Sequence, residues 1–305
     1  MVDLSRRQLL AGAGATSAGA LLPASAFAHA KGRHIPPGIQ LWTVKGDMAK
    51  DPVGTLKALG RMGYKRVEAA GWYNRTPAQY RKMVRDAGME CVSAHYGLGD
   101  LIKDADSRLA FARDVGVKYV IASSPAPRKA LDPNKPWPIA VAEAMTLEDW
   151  RSNAEAMNRI GAKARAMGLR FGYHNHSAEL LNYNNIVPLD EIARSTDPAN
   201  VVLELDIGWV AAAGYDPVTI IRRHAPRIHL LHIKDQMSAE RVPGKMIKDD
   251  RTTVIGKGTI NWPAVFRAAQ KSPIYSYFYE QEDPFTEPAL QAARKSLAYL
   301  RTLHV

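Results

Sequence analysis

Short apolar runs alternate with longer amphipathic stretches along the chain from residue 38 onward. The runs Gly38–Val44, Arg66–Ala70, Glu90–Ala94 and Tyr119–Ala122 predict strands, as do Arg170–His174, Val201–Leu205, Ile228–Ile233 and Tyr275–Glu280. The stretches Pro52–Met62, Pro77–Ala87, Asp106–Val115 and Leu147–Met167 carry helical periodicity. So do Val187–Ser195, Pro217–His224, Trp262–Gln270 and Pro288–Leu303. Several of these helices open with Asp-Pro, Thr-Pro or Trp-Pro, where proline's fixed φ suits the first helical position. Glycines at 63, 88, 116 and 168 precede the next strand, where a helix needs a left-handed exit.

Strands this continuously apolar need cover on both faces, which predicts a parallel sheet with helices outside it. Eight strand–helix repeats in one span of even composition predict an α/β fold closed as a (β/α)8 TIM barrel. A doubly wound nucleotide fold would carry a glycine-rich fingerprint after its first strand, and none follows Gly38–Val44. Two connections are long, Ser123–Thr146 and Gln236–Thr259, and are expected to lie over the open end of the barrel.

The first 30 residues read differently. Ser5-Arg6-Arg7-Gln8-Leu9-Leu10 is a paired-arginine start, Leu9–Leu22 is a weakly apolar stretch rich in Ala and Gly, and Ala26-Phe27-Ala28 and Ala28-His29-Ala30 are small-residue cleavage sites. The arrangement resembles a twin-arginine signal peptide, with the barrel then occupying 31–305 and the mature protein periplasmic or secreted. The stretch is too short to span a bilayer well, so no stable membrane association is expected after cleavage. The single cysteine, Cys91, excludes an internal disulfide and, within the apolar run Met89–Ala94, reads as a buried thiol.

The formal net charge is +11. Basic residues are scattered along helices, without aromatic interleaving or a zinc-finger pattern, so no nucleic-acid partner is expected. Solubility or attraction of anionic substrates accounts for the charge.

The chemistry collects at the strand ends, where barrels of this kind build their sites. Glu68 follows the second strand and His95 the third. His174 and His176 lie at the fifth, Asp206 at the sixth, His232 at the seventh, and Glu280 and Glu282 at the eighth. Ionisable groups at the ends of apolar strands are costly unless paired or metal-bound. Histidines mixed with carboxylates, without thiolates, suit a divalent transition metal: Mn, Co, Zn or Fe, with Mg also open. Asp206, His232 and Glu280 are the expected core of such a site, with His174 and Glu179 as further ligands. His174 and His176 are two apart and share a side of their strand, so one could bind metal and the other substrate. Lys234, two after His232, should face the same way and could neutralise a developing oxyanion, or it could be a surface lysine. Glu280 and Glu282 are the candidate proton carriers. Glu68, His95, His176 and Trp209 are candidate substrate contacts, and Trp42 and Trp72 could equally stack on a sugar or pack in the core.

These motifs together resemble the sugar phosphate isomerase/epimerase family of xylose isomerase-like barrels. The segments that carry the resemblance are Gly38–Val44, Tyr173–Glu179, Glu204–Trp209, Leu231–Asp235, Gly256–Trp262 and Tyr279–Asp283. The resemblance implies a divalent metal, often manganese, held by a carboxylate on the fifth strand, Asp206, His232 and Glu280. It implies a small sugar or keto-sugar substrate and, often, a homo-oligomer. His174 stands where epimerases of the family carry a glutamate that also moves a proton, so a symmetric two-glutamate mechanism is not expected. Isomerisation or epimerisation by proton removal beside a carbonyl is the first expectation. Elimination from a 3-keto-glycoside, known among exported relatives, is the second. A non-catalytic sugar-binding barrel and an endonuclease for abasic DNA are the alternatives from other classes.

Overall fold

The computed structural model describes residues 35–238, 242–245 and 251–303. The segment read as a signal peptide lies outside the described residues. Eight strands form a closed barrel: β1 (Gly38–Gln40), β2 (Arg66–Ala69), β3 (Glu90–Tyr96), β4 (Tyr119–Ala122), β5 (Arg170–His174), β6 (Val201–Asp206), β7 (Ile228–Ile233) and β8 (Ser276–Tyr279). Each pairs in parallel with its sequence neighbours, and β1 closes the ring against β8. The (β/α)8 barrel is therefore the fold.

The helices form where local chemistry asks for them. Asp51 accepts from the Gly54 N–H and Pro52 occupies the first turn, so the helix Pro52–Met62 starts there. Thr76 with Gln79, and Thr146 with Asp149, close reciprocal capping boxes at the starts of Pro77–Asp86 and Leu147–Ala166. Gly63, Gly88, Gly116 and Gly168 all take positive φ, which ends each helix and turns the chain into the next strand. Among the described residues no helix is long and apolar enough to cross a membrane.

Among the described residues the core has two main parts. A large cluster fills the space between strands and helices, and includes Cys91. A small one fills the barrel's interior floor: Val92, Tyr119, Ile121, Val202, Leu230 and Phe278. Two register irregularities set what lies above that floor. One falls between Val67 and Glu68 opposite β3, and brings Glu68 level with Ser93. The other falls between Leu203 and Glu204 opposite β7, and sets Glu204 beside Leu230 and Asp206 beside His232. Such bulges re-aim side chains, and here they turn a run of ionisable residues inward.

Three expectations needed correction. The first strand ends at Gln40, because the Gln40 side chain accepts the Trp42 N–H and starts a tight turn over Leu41–Val44. The connection after β4 contains a helix, Trp137–Ala144. The connection after β7 folds back as a two-stranded antiparallel ribbon, Asp235–Gln236 with Thr252–Thr253.

That ribbon hangs on one buried carboxylate. Asp235 accepts from the N–H groups of Gln236 (3.0 Å), Gly256 (2.8 Å), Gly258 (3.2 Å) and Ile260 (3.3 Å), and from the Trp262 indole N–H (3.0 Å). Only glycine fits at 258, since a Cβ there would lie 2.2 Å from Asp235 Oδ1. Asp235→Ala leaves these donors unpaired and is expected to destabilise the protein by about 3 kcal/mol or more. Urea unfolding checks this, and an unchanged midpoint would refute the anchoring role.

Candidate metal centre

The inward residues of six strands meet in one buried cluster. Its upper part joins His174, Asp206, His232 and Glu280, whose ligand-type atoms all lie within 4.8 Å of one another. His232 Nδ1 is 3.0 Å from Glu280 Oε2 and 3.6 Å from Asp206 Oδ2, and His174 Nε2 is 4.0 Å from that same oxygen. A second tier, His95, His174, Glu204 and His232, lies against it and shares two rings. The other nitrogen of each shared ring faces this tier: His232 Nε2 is 2.7 Å from Glu68 Oε1, and His174 Nδ1 is 3.3 Å from Glu204 Oε2. A ring held this way offers one nitrogen to a metal while a carboxylate fixes the other.

The donors fit a divalent metal. Glu204 Oε1 is buried with no hydrogen-bond partner among the described residues, and Asp206 Oδ2 has the Lys234 ammonium beside it at 3.1 Å but no hydrogen bond; a bound cation would lower the cost of burying both. The charge balance agrees. Five carboxylates, Glu68, Glu204, Asp206, Glu280 and Glu282, share the cluster with a single lysine, Lys234, which pairs with the last three; all are buried except the partly open Glu282. Burial alone would push the histidines toward neutrality. Glu68 and Glu204 instead raise His95 to about 9, and Glu204 and Glu280 hold His232 well above its usual value. Burial and the neighbouring Glu68 raise Glu204 to about 7. The carboxylates thus favour positive charge on His95 and His232.

Lys234 is fully buried, which rules out the surface-lysine reading. Its Nζ sits 3.1 Å from Asp206 Oδ2, 2.9 Å from Glu280 Oε2 and 2.5 Å from Glu282 Oε1. These carboxylates outweigh the effect of burial and hold its pKa well above the usual lysine range. Glycine at 208 makes room, because a Cβ there would lie 2.7 Å from the Lys234 Cγ. Glu282 is the most open of the acidic groups, with its side chain 30% exposed. Burial and the nearby Glu280 raise its pKa, against the pull of Lys234. The Thr252 hydroxyl clamps its backbone, accepting the Glu282 N–H at 3.0 Å and donating to its carbonyl at 2.9 Å.

Other expected site residues lie elsewhere. Glu179 is not brought to the cluster. Tyr173 points out of the barrel, and Glu179 accepts its hydroxyl at 2.6 Å together with the His176 N–H at 3.0 Å. Burial raises Glu179 to about 7 there, in a structural position. Glu68 does not line an open pocket either. It is fully buried, with Oε1 shared by Gln40, His95 and His232 and Oε2 taken by Ser93. His95 lies within β3 with its Nε2 between Glu68 (2.9 Å) and Glu204 (2.7 Å), so that nitrogen is engaged inside the cluster. Trp72 packs against Tyr80, Tyr96 and Phe111 in the outer core. His176 and Trp209 do sit at the edge of the cluster, their rings 5.4 Å apart. Glu204 and Gln40 were not singled out from the sequence. Glu204 was detectable, since it stands two before Asp206 and shares its side of the strand.

A closed parallel barrel with a histidine–carboxylate cluster across its later strands defines a class, and comparison with known proteins agrees. The profile of the xylose isomerase-like TIM barrel family matches residues 56–303, and the chain belongs to that family. Among curated proteins it is 26% identical over 188 residues to an inosose dehydratase of Geobacillus kaustophilus; the match spans 59% of this chain and 60% of that relative. Among solved structures it is similar to a sugar phosphate isomerase/epimerase of Parabacteroides distasonis, at a TM-score of 0.69 and 22% identity over 91% of this chain and 97% of that one. It is also similar to an IolI protein with a bound zinc atom, at a TM-score of 0.64 and 14% identity over 89% and 99% of the two chains.

Proposed function

We propose that the protein is a metal-dependent lyase that eliminates water or an alcohol from a keto-polyol ring. The observation that carries this reading is that the acidic group open to a substrate lies on one side of the cluster: the Glu282 side chain is 30% exposed, whereas Glu68 and Glu204 are fully buried and engaged by His232 and His95. Lys234, Glu280 and Glu282 follow β7 and β8, whereas the fifth-strand position opposite carries His174. Burial holds His174 well below its usual pKa, and burial with Lys234 lowers His176 to about 3, so neither is a ready proton acceptor. Epimerisation needs protonation from the opposite face, which a second carboxylate on that side would supply. Elimination can proceed with one base.

His174, Asp206, His232 and Glu280 would hold the metal. When bound, it would supply fixed positive charge beside the substrate's oxygens. Glu282 takes the proton from the carbon next to the carbonyl. The C–O bond at the following carbon breaks, a C=C bond forms, and Glu282 returns the same proton to the departing oxygen. Lys234 neutralises charge developing on the carbonyl oxygen. The reading is supported by relatives named inosose dehydratase and by the zinc of a similar structure. A keto-cyclitol and a 3-keto-glucoside, each followed by NMR, test it. The expected result is an enone with release of water or alcohol in equal amount. Interconversion of ketose epimers without release would overturn it.

Export by the twin-arginine route belongs to the same proposal, supported by Arg6, Arg7 and the two A-x-A sites. Arg6→Lys with Arg7→Lys is expected to stop periplasmic accumulation, read by fractionation. Unchanged accumulation would count against it.

A further inference from the structure

A wall of rings borders the metal cluster. Trp137 lies 4.5 Å from His176 between ring centroids, His176 lies 5.4 Å from Trp209, and the Trp209 ring lies 4.7 Å from Lys234 Nζ. At its inner edge His176 is 4.9 Å from His174. Trp209 is fixed from behind, since its own backbone N–H donates to Asp206 Oδ1 at 2.8 Å. The residue is only 6% exposed, yet the indole N–H has no hydrogen-bond partner among the described residues, and neither has His176 Nδ1. Two unpaired polar atoms on adjacent rings, beside the groups assigned to catalysis, call for a ligand that can pair with them.

We propose that Trp209 Nε1 and His176 Nδ1 form a subsite for a ring hydroxyl of the keto-polyol, next to the reacting carbonyl. The indole N–H can only donate. A hydroxyl accepts from it and also donates, so it satisfies His176 whichever imidazole nitrogen carries the proton. An ether oxygen or a carboxylate accepts only, and a methylene pairs with neither. The inference rests on the lyase reading for its substrate and adds a rule of specificity: one hydroxyl of the ring is required, because without it the buried indole N–H stays unpaired.

The test uses the metal-loaded protein, wild type and Trp209→Phe, with a keto-cyclitol and its monodeoxy analogues. Phenylalanine keeps an aromatic face and removes the N–H. Wild type is expected to lose on the order of 10²-fold in kcat/KM on one deoxy analogue. Trp209→Phe is expected to lose a similar factor on the parent ring and to treat parent and that analogue alike. A variant as selective as wild type overturns the subsite. Calorimetric binding of the corresponding cyclitol, with a hydroxyl in place of the carbonyl, separates the two claims. Binding weakened by Trp209→Phe and by His176→Phe supports the subsite even if no ketone is turned over. Binding indifferent to both substitutions, or none by wild type, overturns it.

Discussion

His232→Ala is expected to lose its metal and its activity together while keeping the barrel. His232 touches both tiers through close carboxylate contacts, with Nδ1 at 3.0 Å from Glu280 and Nε2 at 2.7 Å from Glu68. Its removal takes away a ligand and frees two carboxylates from their fixed positions. Metal-assisted charge stabilisation contributes several kcal/mol, so activity should fall by roughly 10³-fold or more. Asp206→Asn is the milder partner. It can retain the Oδ1 that caps Trp209 while removing the charge on Oδ2. Metal content after dialysis and circular dichroism read the two effects separately. Full metal occupancy in both variants would show that the cluster is not the ligand set.

Lys234→Met is expected to behave in the opposite sense toward the metal. Its ammonium lies 3.1 Å from Asp206 Oδ2 and 2.9 Å from Glu280 Oε2, the oxygens a dication would use. Removing a like charge should tighten metal binding while kcat falls by about 10²- to 10⁴-fold. The metal-free variant should be less stable than wild type, because buried carboxylates lose their counter-charge, and metal should restore most of that loss. Glu282→Gln should lower kcat over the same range with metal affinity nearly unchanged. Metal titration alongside steady-state kinetics distinguishes these patterns. A Lys234→Met variant that binds metal more weakly would place the lysine among the supports of the metal rather than in the chemistry.

How far the sequence reveals this architecture depends on which physical signal each residue leaves. The strands were legible because a parallel barrel buries both faces, and runs such as Tyr119–Ala122 and residues 171–173 are buried and carry no charged side chain. Asp206, His232 and Lys234 could be placed because an ionisable group ending such a run has one reason to be there, and two-residue parity gives its side. Glu204 escaped notice inside an apolar run, although the same parity applies to it. Glu179 lies past the end of its strand, where parity gives no side, and the tight turn at Ala178–Leu180 sets it against the Tyr173 hydroxyl instead of the cluster. The helix Ile207–Ala212 left no periodic signal, since every one of its residues is buried. The indoles were alike in sequence, and only packing separates Trp72, in the outer core, from Trp209 at the cluster.

The most direct measurement is metal analysis by mass spectrometry of the purified protein, after loading with Mn, Co or Zn and exhaustive dialysis, in wild type and in His232→Ala. One divalent ion retained per wild-type chain and none in the variant is the predicted result. A wild-type protein that retains none of these ions would contradict a metal centre in the barrel.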